Sequence, residues 1–286
     1  IRLSLVGSEM CIRDRPISWD DAFALMGRHL NALPDPDQAI FYTSGRASNE
    51  AAFLYQLFVR EYGTNNFPDC SNMCHEPSGS GMRPQVGVGK GTVTLEDFEH
   101  ADAILIFGQN PGTNHPRMLG ELRHAAKRGA RIMSFNPMRE RGLERFADPQ
   151  AKIEMATNSS TPISSHYFQL RVGGDFALVK GMMKYLVECE DAGEQVIDHT
   201  FIAEHTTGFG DVVEDLRAES WALLEQESGL SIEQIRTAAE VYKNAERTIA
   251  CWGMGITQHP HSVATIQMIG NLLLMRGNIG LSLIHI

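Results

Sequence analysis

The chain predicts an α/β fold built on a parallel sheet, and three observations carry that expectation. Residues 102–107 (DAILIF) and 130–135 (ARIMSF) are continuous apolar runs of strand length, the pattern of strands buried on both faces. Between them, residues 116–128 read as a helix closed by Gly129, long enough for the crossover that joins parallel neighbours. A third run, residues 248–252 (TIACW), ends in Gly253-Met254-Gly255 and leads into a helical stretch at 262–275. Strands alternating with helices in this way make parallel α/β sheets.

The remaining elements follow in chain order. Ser18 reads as an N-cap, and Asp20 and Asp21 suit the positive end of a helix running to about residue 33. A Pro34-Asp35-Pro36-Asp37 turn leads to an apolar strand at 39–42, and Thr43-Ser44-Gly45-Arg46 turns into a helix at 51–62 with Phe53, Leu54, Leu57 and Phe58 on one face. Residues 63–91 are polar and Gly-rich, a loop too long to be a mere connector. Beyond the central βαβ unit, residues 168–172 read as a strand, Gly173-Gly174-Asp175 as a turn into a helix at 176–188, and residues 231–244 as a capped helix. Pro and Ser cluster at 158–165 (NSSTPISS), a candidate seam. Residues 1–15 and 281–286 show neither amphipathic period nor turn logic and read as non-native terminal segments, which sets the native stretch at about 16–280.

Composition narrows the function. With 286 residues and 43% hydrophobic content, the chain has material for one large or two ordinary domains. It carries 35 Asp+Glu against 25 Lys+Arg, a formal net charge of -10, which argues against nucleic acid as a partner. No apolar run approaches the roughly 18 residues that span a bilayer. The five cysteines are too scattered for a disulfide framework and point to a reducing, cytoplasmic compartment.

In an open parallel sheet, ligands gather at the carboxyl ends of the strands, where loop amides and helix N-termini face anionic groups. Four strand-end loops stand out here: Gly108-Gln109-Asn110-Pro111 with His115-Pro116, Asn136-Pro137-Met138-Arg139, Gly173-Gly174-Asp175, and residues 253–258 (GMGITQ). None has the glycine spacing of a nicotinamide-binding turn or of a P-loop. The most chemically loaded segment is residues 69–79, with Cys70, Cys74 and His75. A thiolate is a soft ligand suited to a redox metal, and an imidazole can move protons; structural cysteines are the other reading of this loop. His259-Pro260-His261 invites a metal reading but is read as a solvated pair, and Arg139, Arg141 and Arg145 as either a cationic face or a solvated helix edge.

Six segments in order resemble one family. They are residues 17–22 (ISWDDA), residues 43–50 (TSGRASNE), Cys74-His75-Glu76-Pro77-Ser78, Phe107-Gly108-Gln109-Asn110-Pro111 with His115-Pro116, residues 252–258 (WGMGITQ), and Arg276-Gly277-Asn278-Ile279-Gly280. Together they resemble the molybdopterin oxidoreductases that use bis(molybdopterin guanine dinucleotide), specifically formate dehydrogenase-like catalytic subunits. The resemblance implies a dinucleotide-binding α/β architecture, here an incomplete fragment of a larger multidomain enzyme. It makes Cys74 the molybdenum ligand and His75 the proton acceptor. Gly108, Asn110, His115, Asn136, Pro137, Arg139, Gly173, Asp175, Gly253, Met254 and Gln258 would grip the guanine dinucleotides, and Gly45, Arg46 and Asn49 would approach the pterin. It implies formate as a small-molecule substrate, and an electron acceptor or electron-transfer subunit as partner. A [4Fe-4S] cluster is expected in the full-length parent, although no ligand motif for one occurs here. Two further readings stay open: a cofactor-binding module without catalysis, and a thiol enzyme using Cys74 as nucleophile and His75 as base.

Overall fold

The computed structural model describes residues 17–43, 47–68 and 74–279, and the chain divides between Met73 and Cys74 into two compact units. In the first unit, helix α1 (Trp19–Asn31) starts at Ser18, whose hydroxyl accepts from Asp21 N at 3.1 Å. The expected strand at 39–42 is an extended segment held by two bonds, Phe41 N to Asn66 O at 2.9 Å and Thr43 N to Pro68 O at 3.3 Å. Helix α2 (Asn49–Tyr62) is capped by Ser48 and stopped by Gly63 in the left-handed region. Phe41 packs edge-on against Tyr55, Phe58 and Tyr62 to make a small core with Ala39 and Val59. Phe53, Leu54 and Leu57 on the other face of α2 are exposed.

The second unit opens with a correction. Residues 63–91 are not one long loop, because Glu76–Val86 forms helix α3, begun by Pro77 in its first turn and ended by Gly87. Composition hid it: the helix contains two prolines and two glycines, a poor intrinsic former. Packing sustains it instead. Gly81 brings its backbone against Ile266 and Val263, and Gln85 Nε2 donates to Gln267 O at 2.8 Å and Asn271 Oδ1 at 2.6 Å.

The sheet follows. Strand β1 (Ala103–Phe107), helix α4 (Met118–Arg128) and strand β2 (Arg131–Phe135) form the expected βαβ unit. A short antiparallel pair, β3 (Arg145–Phe146) with β4 (Thr161–Pro162), precedes β5 (His166–Phe168). Helices α5 (Asp175–Asp191), α6 (His199–His205), α7 (Phe209–Ala218), α8 (Trp221–Ser228) and α9 (Ile232–Lys243) lead to β6 (Thr248–Trp252) and α10 (Ser262–Leu274). The four long-sheet strands run parallel in the order β5-β2-β1-β6. Alternate side chains of β1 face opposite ways: Leu105 and Phe107 join the core under α5, α9 and α10, while Ile104 and Ile106 join Leu119 and Leu122 of α4. Burial on both faces is the physical reason these strands read as unbroken apolar runs.

Strand β5 ends earlier than the expected 168–172. Its partner β2 stops at Phe135, opposite Phe168, and the following backbone turns away, Arg171 N bonding Ser228 O at 2.8 Å. The Arg276–Ile279 piece lies at the amino end of β6, where Asn278 Oδ1 accepts from Thr248 N at 2.9 Å. Among the described residues no helix is long and apolar enough to cross a membrane.

Candidate functional site

Phe168, Phe135, Phe107 and Trp252, the last residues of the four strands, stand in register along the carboxyl edge. Phe107 stacks on Phe135 with ring centroids 4.7 Å apart, and Phe135 on Phe168 at 5.3 Å. Three of the following loops then continue the ladder by one bond: Gly108 N to Phe135 O at 2.9 Å, Asn136 N to Phe168 O at 3.1 Å and Gly253 N to Phe107 O at 3.2 Å. The loops therefore leave one aromatic edge at fixed points.

The order of the strands makes β1 and β6 the pair where the winding reverses, the place where α/β sheets open a crevice for ligands. Here the two backbones touch. Gly108 has a φ of +52°, a Cβ on it would stand 2.7 Å from Gly255 Cα, and a Cβ on Gly255 would stand 2.6 Å from Gly108 Cα. Gly255 N donates to Gly108 O at 3.0 Å. Only glycine permits this approach, which closes the β6 loop directly onto the β1 loop. Gly255 was noted in the sequence only as part of its loop and given no role, although its Gly-x-Gly spacing after a strand was the signal that could have assigned one.

The β1 and β2 loops are tied together. Asn110 Oδ1 accepts from Thr113 N at 3.2 Å while its Nδ2 donates to Glu140 Oε2 at 2.6 Å. Asn136 Nδ2 donates to Gln109 O at 3.3 Å, and Gln109 Nε2 lies 3.4 Å from His115 Nδ1. Pro137 O accepts from Gln169 Nε2 at 3.3 Å. Arg139 pairs with Glu144 at 2.7 Å and lies over the Tyr167 ring, and Arg145 Nε donates to Ser160 Oγ at 2.8 Å; neither is a bare cation. At the β6 loop, Met254 is exposed, and Gln258 follows the one-turn helix Met254–Thr257.

Beyond β5, Gly173 turns in the left-handed region and Asp175 begins α5. The Asp175 carboxyl is buried and accepts from its own backbone amide, yet burial pushes it up to about 7 from the usual 3.8. Because the folded value is the higher, the stabilisation is fully present below about pH 4 and is lost as pH rises through about 7. Asp175→Asn should flatten this slope in cofactor-free protein, recovering on the order of 2–4 kcal/mol at pH 8. Urea unfolding at pH 5 and pH 8 measures it; equal slopes in both proteins would contradict the burial of a charge there.

Cys74 is a half-buried free thiol immediately before α3, and His75 is the exposed residue that caps that helix. One hydroxyl attaches this turn to β6. Trp252 Nε1 donates to Ser78 Oγ at 2.9 Å, and His75 Nδ1 lies 3.5 Å from the same oxygen. Ser78, Gln109 and Thr257 lay within the segments noted in the sequence but were given no role there. Gln109 Oε1, Thr257 Oγ1 and His259 Nε2 are buried without a hydrogen-bond partner among the described residues. For His259 this corrects the expectation of a solvated pair: burial holds its imidazole below the usual range, while His261 is exposed. Among the described residues no group of three or more His, Cys, Asp or Glu is placed to hold a metal, so Cys74 stands as a single soft donor. Asn49 opens α2 in the first unit, and Gly45 and Arg46 lie outside the described residues.

Glycine-rich strand-end loops, a buried carboxyl at Asp175, orphaned polar atoms on Gln109 and Thr257, and one thiol suit an extended polar ligand with N–H edges and a thiophilic metal. The molybdopterin oxidoreductase family pattern matches residues 13–285. "Protein YdeP" of Escherichia coli strain K12 is 55% identical over 271 residues, covering 93% of this chain and 36% of that protein. "Formate dehydrogenase H" of the same organism is 30% identical over 273 residues, covering 93% and 34%. The fold is shared with acetylene hydratase from Pelobacter acetylenicus, with a TM-score of 0.65 and 20% identity over 93% of this chain and 33% of that one. The chain thus spans about a third of the length of the relatives it matches. From the order of its motifs, its sheet and these matches, the chain belongs to the molybdopterin oxidoreductase family.

Proposed function

We propose that the protein carrying this chain is a molybdenum oxidoreductase in which Cys74 ligates the metal and the strand-end loops hold bis(molybdopterin guanine dinucleotide). The observation that carries this reading is the attachment of the Cys74 turn to the last residue of β6, the strand whose exit loop meets the β1 loop at Gly108 and Gly255. When bound, the group supplies a two-electron redox centre. The chain's own residues do the rest. Gly108, Gly253 and Gly255 keep side chains out of the space a pyrophosphate would need, Asn110 and Asn136 brace the loops, and Asp175 accepts from guanine N–H groups. His75, exposed and next to Cys74, takes the substrate proton.

Formate is the proposed substrate, supported by the relative named formate dehydrogenase H. The fold neighbour is named a hydratase, so the fold alone does not choose the reaction. The family resemblance adds a [4Fe-4S] cluster and an electron acceptor or electron-transfer subunit. Three thiols free among the described residues support a cytoplasmic location. In the full-length protein, made in a host that synthesises the pterin, formate should reduce a viologen dye. Molybdenum-loaded protein inert to formate would move the substrate elsewhere in the family's chemistry, and rapid alkylation of Cys74 in metal-free protein, with an activity that needs no molybdenum, would favour the thiol-enzyme reading.

A further inference from the structure

The Cys74-His75 turn is joined to the sheet through a single hydroxyl, and that geometry assigns a role to a residue outside the metal and cofactor contacts. Ser78 lies one turn into α3 and Trp252 ends β6, and both are buried. An indole nitrogen only donates, so Ser78 Oγ accepts the 2.9 Å bond. Its own hydrogen and second lone pair remain, so it can meet His75 Nδ1, 3.5 Å away, in either tautomer of the ring. Ser78 N also donates to His75 O at 3.0 Å, closing the turn on the backbone side. Farther along α3, Gly81 is pressed against Ile266 and Val263 of α10, which leaves the start of the helix as the part that a side-chain contact must hold.

We propose that Ser78, held by Trp252, is a positioning residue that fixes the Cys74-His75 turn against the carboxyl end of β6. The inference rests on the reading of Cys74 as the metal ligand, yet it can fail or hold independently, because the turn exists before any metal arrives.

The test is the rate at which iodoacetamide alkylates Cys74 in full-length protein prepared without cofactor, with fragment-ion mass spectrometry separating Cys74 from Cys70. Ser78→Ala and Trp252→Phe should each speed alkylation roughly three- to tenfold, the range that losing one buried hydrogen bond produces. The double variant should be no faster than either single one, since both remove the same bond. Ser78→Thr, which keeps the hydroxyl, should alkylate at about the parent rate. In cofactor-loaded protein, Ser78→Ala should retain molybdenum, change the electron paramagnetic resonance signature of the reduced metal, and lower kcat more than it raises KM. Parent-like alkylation in Ser78→Ala, or additive effects of the two substitutions, would overturn the proposal. If Cys74→Ala keeps molybdenum and activity, the metal-ligand reading fails while the alkylation result stands on its own.

Discussion

Replacing Cys74 by alanine is expected to abolish molybdenum-dependent turnover, by at least about 10²-fold in kcat/KM, while leaving the fold intact. The two halves of that statement have separate grounds. Cys74 is half-buried and unpaired in a disulfide, and substitutions away from cores and networks usually change stability by less than about 0.5 kcal/mol. Loss of function therefore cannot be passed off as unfolding if the melting temperature stays within about 2 °C of the parent. Chemistry gives the other half. Alanine has no donor atom, and among the described residues no cluster of metal-binding side chains is at hand to replace it. Cys74→Ser sharpens the result, because a harder oxygen donor in nearly the same shape should leave the turn in place and still lose most of the activity. Activity in Cys74→Ala equal to the parent's would remove Cys74 from the metal site.

Gly255→Ala is expected to be among the most damaging single methyls in the second unit. The added carbon would stand 2.6 Å from Gly108 Cα and 2.7 Å from Gly108 O, and both atoms are backbone that cannot rotate aside. Relief requires the ends of β1 and β6 to separate, which strains the bonds from Gly108 N to Phe135 O and from Gly253 N to Phe107 O. A cost of about 2–4 kcal/mol follows, of the kind seen when a packed interior is overfilled, read as a fall of roughly 5–15 °C in melting temperature. Cofactor retention should fall with it, since the strand-end loops of β1 and β6 are the place distorted. Gly120→Ala is the matched control. Gly120 lies within α4, with nothing within 4 Å of an added Cβ, so alanine there should stabilise by about 0.5–1 kcal/mol. Equal melting temperatures for the two variants would show that the close approach of β1 and β6 is not a constraint.

What the sequence made legible follows from where its signals come from. β1, β2 and β6 were readable because burial on both faces demands apolar residues at every position, and the glycines after β1 and β6 because a tight exit from a strand demands them. β5 was misplaced because Leu170 is buried after the chain has left the sheet, so apolarity continued where pairing did not. Helix α3 was illegible because its stability comes from α10, nearly two hundred residues away, as the Gln85–Asn271 bond shows. Helices α6, α7 and α8 are short and were not separated from the surrounding polar chain. The candidate site divides the same way. Cys74, Asp175 and the strand-end loops stood out by motif, whereas the Ser78–Trp252 bond and the Asn110–Glu140 tie join residues far apart in sequence and leave no local period to read. The burial of Asp175 likewise depends on neighbours that no window around residue 175 contains.

The central claim is that this α/β unit holds a molybdenum-bearing guanine dinucleotide with Cys74 on the metal. The most direct measurement is molybdenum, by elemental analysis, together with guanine nucleotide released by acid hydrolysis, per chain of full-length protein made in a pterin-synthesising host. The account predicts about one molybdenum and about two guanine nucleotides per chain, with the metal lowered or made catalytically silent in Cys74→Ala. Folded protein carrying neither molybdenum nor guanine nucleotide would contradict it.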